Sequence, residues 1–252
     1  MRNQRGSTLI AVLIVLLIIT VLGVIAIRQG LTSLTLSTNA QVQALLTQSS
    51  DVVFDKIQDD YQTNSSVSNV MSFVTLEGNQ GKEWIACYRP TTSNIFYNIL
   101  TNTTAVVPSV AANDNTVGLE GGTQGFCDIT KDFSSNRNAV ITQVAIMIPN
   151  DPVEDARPFE YAPRKTDVSN SKIEDTKRVR VYSTSIVPSM TTADLTEVQT
   201  TCLRNRVNDD MDRANKDKES VTDCLARYGV PANTQVQEYQ LTTVISQTAI
   251  TK

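Results

Sequence analysis

The sequence predicts an α+β protein. One long N-terminal α-helix, transmembrane in its first half, packs by its second half on an antiparallel β-sheet head with an inserted helical hairpin. Three observations carry this. From Leu9 to Ile27 the chain is apolar except for Thr20 and Gly23. Behind that run, apolar residues recur at helical spacing to about residue 60. From residue 83 onward, several short segments read as strands, some of them alternating polar with apolar residues.

The apolar run comes first. At that length a helix rises roughly 28 Å, close to the thickness of a bilayer's hydrocarbon core. A secretory signal has a shorter apolar region, about 7–15 residues, with a small-residue cleavage site after it. Val24-Ile25-Ala26 offers such a site, so the secretory reading stands beside the anchor. Arg2 and Arg5 make the N-terminal side cytoplasmic by the positive-inside bias. The remaining chain then lies outside the inner membrane or its equivalent.

Beyond Arg28 there is no proline before Pro90 and no glycine between Gly30 and Gly78. Leu31, Leu34, Val42, Leu45, Leu46 and Val53 begin an apolar series that continues through Phe54, Ile57 and Tyr61. Its steps of three, four, seven and eight are those of a one-sided helix. One helix from about residue 8 to about residue 60 accounts for both halves, roughly 80 Å long. The alternative is an anchor and a separate helix jointed at Gly30.

Arg5-Gly6-Ser7-Thr8-Leu9-Ile10 ahead of such a helix resembles the leader and N-terminus of a type IV pilin. More closely, "GSTLIAVLIVLLIITVLGVIAIRQGLTSL" with "TNAQVQALLTQSSD" resembles the PilX-like minor pilins of the type IV pilus, over roughly the first 60 residues. The resemblance implies that a prepilin peptidase cuts after Gly6 and methylates Ser7. Residues 1–6 are then a leader, 7–28 the transmembrane half of the helix and 29–60 its amphipathic half. Residues 61–252 form an extracytoplasmic head of pilin-like fold. The implied location is the inner membrane, single-pass with a periplasmic head, and after assembly the surface pilus at its tip. The implied partners are other minor pilins, a tip adhesin, the major pilin and the peptidase; no cofactor is implied.

Two departures from the family pattern matter. Most pilins have glutamate at the fifth residue counted from the new N-terminus; that residue here is Ala11. Major pilins commonly have proline where this chain has Arg28, and its absence removes a helix breaker. In the family, the glutamate of an incoming subunit pairs with the N-terminal amine of the subunit above. A chain with Ala11 cannot make that upward contact, but its amine at Ser7 can receive a glutamate from below. The pattern implies a place at the top of the stack.

In the head, "EWIACY" (83–88) and "NIFYNIL" (94–100) read as strands joined by a turn at Pro90. Residues 102–138, with Gly118, Gly121, Gly122 and Gly125, read as a loop-rich stretch. "AVITQVAIMIP" (139–149) is apolar on both faces, as a central strand is. "RVRVYSTSIV" (178–187) and "VQEYQLTTVISQTAI" (236–250) alternate. Between them the helical insertion spans 188–234. Leu195, Val198 and Cys202 share one face, and Ser220 with Asp223 makes a capping-box start to a helix ending at Tyr228 before Gly229 and Pro231.

Lys177, Arg178 and Arg180, with Lys165 and Lys172, form a basic spot that reads as the solvated edge of a strand. Loss of Arg2 and Arg5 takes the formal charge from −4 to −6, and the head has no basic run, which argues against direct nucleic-acid binding. Asp210 and Asp212 match one step of calcium-loop spacing, but Ala214 replaces the next ligand and no glycine makes the turn, so a solvated tip is expected. The four cysteines, Cys87, Cys127, Cys202 and Cys224, include no C-x-x-C pair, and there is no histidine to complete a zinc site. Outside the membrane disulfides are the default. Of the three pairings, the hairpin favours Cys202 with Cys224, and hence Cys87 with Cys127; buried free thiols are the alternative. With no histidine and no phosphate-binding loop, nothing points to a catalytic site, and no enzyme is expected. Two other readings stay open: a minor pseudopilin of a type II secretion system, and a single-span membrane-anchored binding or sensor protein.

Overall fold

The computed structural model describes residues 5–63, 65–90, 97–98, 101–109, 116–135, 137–149, 173–208 and 219–245. Helix α1 runs without interruption from Arg5 to Thr63. Gly30 lies inside it, so α1 is one helix rather than an anchor and a jointed second helix. A short helix α2 follows (Ser65–Val74), which the sequence had concealed in the start of the head.

The chain divides into two compact units, Met1–Leu45 and Leu46–Lys252. The described part of the first is helix alone. The second holds a six-stranded sheet made of β1 (Glu83–Cys87), β2 (Thr103–Pro108), β3 (Val117–Glu120), β4 (Ile141–Met147), β5 (Ile173–Ile186) and β6 (Ala232–Ile245). The order is β3-β2-β1-β4-β5-β6, and every neighbouring pair is antiparallel. Between β5 and β6 lie α3 (Leu195–Val198), which continues as one π-helical turn (Gln199–Leu203), and α4 (Val221–Arg227).

Two expectations are corrected and a third is completed. The partner of β1 is β2, not "NIFYNIL": Tyr97 and Asn98 are not in a strand, and residues 94–96 and 99–100 lie outside the described residues. The loop-rich stretch 102–138 also holds two short strands, β2 and β3, which its sequence does not announce. Arg180 is not on an edge, because β5 pairs there with β4 on one side and β6 on the other; Arg178 lies beyond the last β4 pair and is paired with β6. Lys165, Lys172 and residues 246–250 lie outside the described residues.

The sheet is covered on both faces, which explains why β4 is buried along its whole length. On one face, Val53, Phe54 and Ile57 of α1 and Val70, Met71 and Val74 of α2 pack against residues such as Val144, Ile146, Val179 and Val181. On the other, the helical insertion and the loop after β3 build two further clusters around Ile141, Ile186, Leu203 and Leu225, and around Ile85, Met147 and Tyr182. α1 is not docked by oil alone. Ser49 bonds Thr142 at 2.8 Å and Ser134 at 2.9 Å, and Ser50 donates to Ser185 at 2.9 Å. Ser50 and Ser185 are fully buried, so each hydroxyl needs its partner.

Candidate functional site

The assembly features expected from sequence lie in the first turns of α1. Gly6, Ser7 and Ala11 are helical, and the large apolar residues from Leu9 to Ile27 are 46–70% exposed. This helix is long and apolar enough to cross a membrane. A helix is suited to that solvent because it satisfies its own backbone. Its hydroxyls do the same: Thr20 donates to the Leu17 carbonyl at 2.8 Å, and Thr32 to that of Arg28 at 3.0 Å. No carboxylate occurs in the chain before Asp51, so no other side chain in the first half of α1 substitutes for the acid absent at Ala11.

Both cystines sit in the head. Cys87, at the end of β1, is joined to Cys127, and Cys202, in the π turn, to Cys224 of α4; there is no free cysteine. All four are fully buried in one cluster with Ile141, Ile186 and Leu225. The Gln143 side chain links the two bridges: its Oε1 accepts from Cys127 N at 3.3 Å and its Nε2 donates to the Leu203 carbonyl at 3.1 Å. Ser220 caps α4, accepting from Asp223 N at 3.1 Å and donating back to the Asp223 carboxylate at 2.7 Å. Gly229 ends it at φ 64°, a conformation that favours glycine.

Sequence reasoning missed several polar contacts that hold the head's surfaces in place. Glu83 is fully buried; it accepts from Asn208 N at 2.7 Å and from Asn208 Nδ2 at 3.0 Å. Asp60, near the end of α1, accepts from the Tyr97 hydroxyl at 2.7 Å and from Lys56 Nζ at 2.8 Å. Burial, and then the Asp60 carboxylate, push the Tyr97 phenol well above its ordinary range. Arg180 donates to Glu238 at 2.6 Å, with Arg178 3.6 Å from the same carboxylate. The partners in these long-range pairs lie 37, 58 and 125 residues apart, and no local sequence signal marks them.

The carboxylates in the head act as braces. Arg227 and then Arg206 hold Glu219 below its ordinary range against the opposing effect of burial. Asp128 is lowered first by the Thr130 hydroxyl and N–H. Burial pushes Asp132 up, but Arg89 at 2.7 Å and the Asp128 N–H outweigh it and leave it lowered. Among the described residues, no three His, Cys, Asp or Glu side chains converge to hold a metal ion. Asp210 and Asp212 lie outside the described residues.

Residues 1–27 match the family described as the prokaryotic N-terminal methylation motif. No curated protein and no solved structure matches the chain.

Proposed function

We propose that the chain is a non-enzymatic minor pilin that helps to prime a type IV pilus, at the tip and together with other minor pilins, in support of motility, adhesion or DNA uptake. The N-terminal methylation motif and the apolar helix behind it support a type IV pilin-like protein, with membrane anchoring, prepilin peptidase processing and incorporation among pilus components.

The observation that carries the finer reading is Ala11. A charge in the apolar membrane or fibre core is costly unless paired, so an acid near the start of the helix directs docking and register. This chain offers an amine at Ser7 once processed and no acid to reach upward. It can be joined from below but cannot itself be seated under another subunit by that pair. Such a subunit suits the top of a stack.

Two measurements test this. N-terminal mass spectrometry of membrane-extracted protein should find methylated Ser7 as the first residue; a chain beginning at Ile27 would remove the pilin reading. Gold labels on the head should mark filament ends, and labels spread along shafts in proportion to length would remove the tip assignment. The minor pseudopilin reading shares the helix and the processing. Deletion separates the two: loss of surface pili and twitching supports the pilus, and loss of protein secretion with pili intact supports the secretion system.

A further inference from the structure

One stretch of α1 breaks its own apolar stripe. Leu45 and Leu46 lie four residues before Ser49 and Ser50, and Val53 and Phe54 lie four residues after them. The period therefore sets two hydroxyls at stripe positions. The sheet breaks in the same way. Side chains two apart on a strand share a face. Thr142, Val144 and Ile146 of β4 form one such series, and Ser185, Ser183, Val181 and Val179 of β5 another. Val144, Ile146, Val179 and Val181 pack with Val53, Phe54 and Ile57 of α1, so both series face that helix. Each begins in hydroxyls and ends in apolar residues.

The two polar stretches meet. Thr142, Ser185 and Asn233 are register partners across β4, β5 and β6. Ser49 bonds Thr142 at 2.8 Å, Ser50 donates to Ser185 at 2.9 Å, and Asn233 Nδ2 donates to the Thr47 hydroxyl at 3.1 Å. Successive hydroxyls of the helix thus each meet a different strand. Thr142 and Ser185 bond each other at 2.9 Å, and Ser183, two residues along β5, donates to the Ser50 carbonyl at 3.2 Å. Ser50, Thr142, Ser183 and Ser185 are all fully buried, and each has its partner in this register.

We infer that this polar belt is a register lock between α1 and the sheet. Apolar packing is non-directional, so a stripe alone tolerates a slip of one helical turn. A slip of four residues in one direction sets Val53 and Phe54 over Thr142, Ser183 and Ser185. In the other direction it sets Leu45 and Leu46 there and moves Ser49 and Ser50 toward the apolar rows. Either slip strands buried hydroxyls without their α1 partners, while the apolar contacts are largely replaced in kind. Polar groups at core positions specify register in helical bundles by the same means, at some expense of stability. The belt selects one arrangement of α1 on the sheet rather than strengthening it. All of its groups lie in the unit Leu46–Lys252, and it is independent of the assembly reading above.

The test measures distances between spin labels in the full chain in detergent. The nitroxides are carried on p-acetylphenylalanine, so that the cysteines stay in their bridges. One label replaces the exposed Gln48 of α1, and the other replaces in turn the exposed Glu77, Lys131 or Gln240. A slip of one turn moves Gln48 by about 5.4 Å along the helix, and references on three different segments register it in at least one distance. The wild-type chain should give one distance per pair. Removing the belt with Ser49→Ala, Ser50→Ala, Thr142→Val, Ser183→Ala and Ser185→Ala should leave the melting temperature unchanged or raised. It should also add a second distance, the slipped fraction rising about a hundredfold to a share comparable with the native one. Ser49→Ala with Ser50→Ala should do the same with the sheet untouched, because every register then leaves the sheet hydroxyls equally unpaired by α1. Two distances in the wild type, a single unchanged distance in a folded variant, or failure of both variants to fold would overturn the lock.

Discussion

Removing the Cys202–Cys224 bridge by the double substitution Cys202→Ala, Cys224→Ala tests how the helical insertion is held. The cystine closes a separation of 22 residues and ties the π turn to α4. Chain entropy alone assigns such a loop about 3.4 kcal/mol. That is a large fraction of the roughly 5–15 kcal/mol by which a folded domain is stable. The effect is expected to reach the sheet, because Val198, Leu203, Leu225 and both sulfurs pack in one cluster with Ile141 and Ile186. Trp84 is the chain's only tryptophan, and its ring meets Phe73 edge-on at 5.0 Å. It packs against the cluster under α1 and α2, on the face away from the bridge, so its fluorescence reports loss of the sheet rather than fraying of the insertion. With a urea slope of about 2 kcal/mol/M, the midpoint of the detergent-solubilised full chain should fall by about 1.7 M. A fall of less than about 0.5 M, or 1 kcal/mol, with the Cys87–Cys127 bridge verified by non-reducing peptide mapping, would refute the reasoning. The insertion would then unfold independently of the sheet.

Gly125→Ala should destabilise the head by several kcal/mol in the same titration, because a Cβ there would collide with the Ile85 carbonyl oxygen and Thr104 N, both backbone atoms that cannot step aside. Glu83→Ala should cost about 2 kcal/mol or more by removing a fully buried side chain and both acceptors of the half-buried Asn208 N–H and amide, whereas Thr234→Ala on half-exposed β6 should cost under about 1 kcal/mol; equal losses would deny Glu83 its role. Asp128, Asp132 and Glu219 are all lowered, so the stability they supply is complete above the ordinary carboxylate range and is lost as pH falls through their folded values. The urea midpoint should drop progressively below about pH 4, and a midpoint unchanged to pH 2 would count against these braces. Tyr239 is pushed up to about 12, first by burial and then by Asp55. Its stabilising effect is complete below the ordinary tyrosine value of about 10 and is lost as pH rises toward the folded value, so a second decline is expected at the alkaline end.

Helix α1 was legible because everything that makes it is local: an apolar run, then apolar residues three and four apart, with no proline to interrupt them. β4 was legible as a central strand from its apolar character on both faces, and β5 from its alternation. The cap at Ser220 and the stop at Gly229 could also be read in place, since each is satisfied within a few residues. β2 and β3 were not legible. "TTAVVP" and "VGLE" are short, contain Pro108 and Gly118, and become strands because β1 and β2 offer them partners. Arg180 looked like an edge from its own segment, and only the placement of β4 and β6 on its two sides, with Glu238 58 residues away, put it inside the sheet. Asn208 reaches Glu83 across 125 residues, and no local pattern announces that a buried acid will find its donor there. By itself the sequence determined the anchor, the continuous helix, the core strand and an N-terminus that carries no acid before Asp51. The tertiary structure alone decided which strands are neighbours and which polar groups are buried. Periodicity records a segment's own two faces, whereas pairing and burial depend on distant chain brought alongside it.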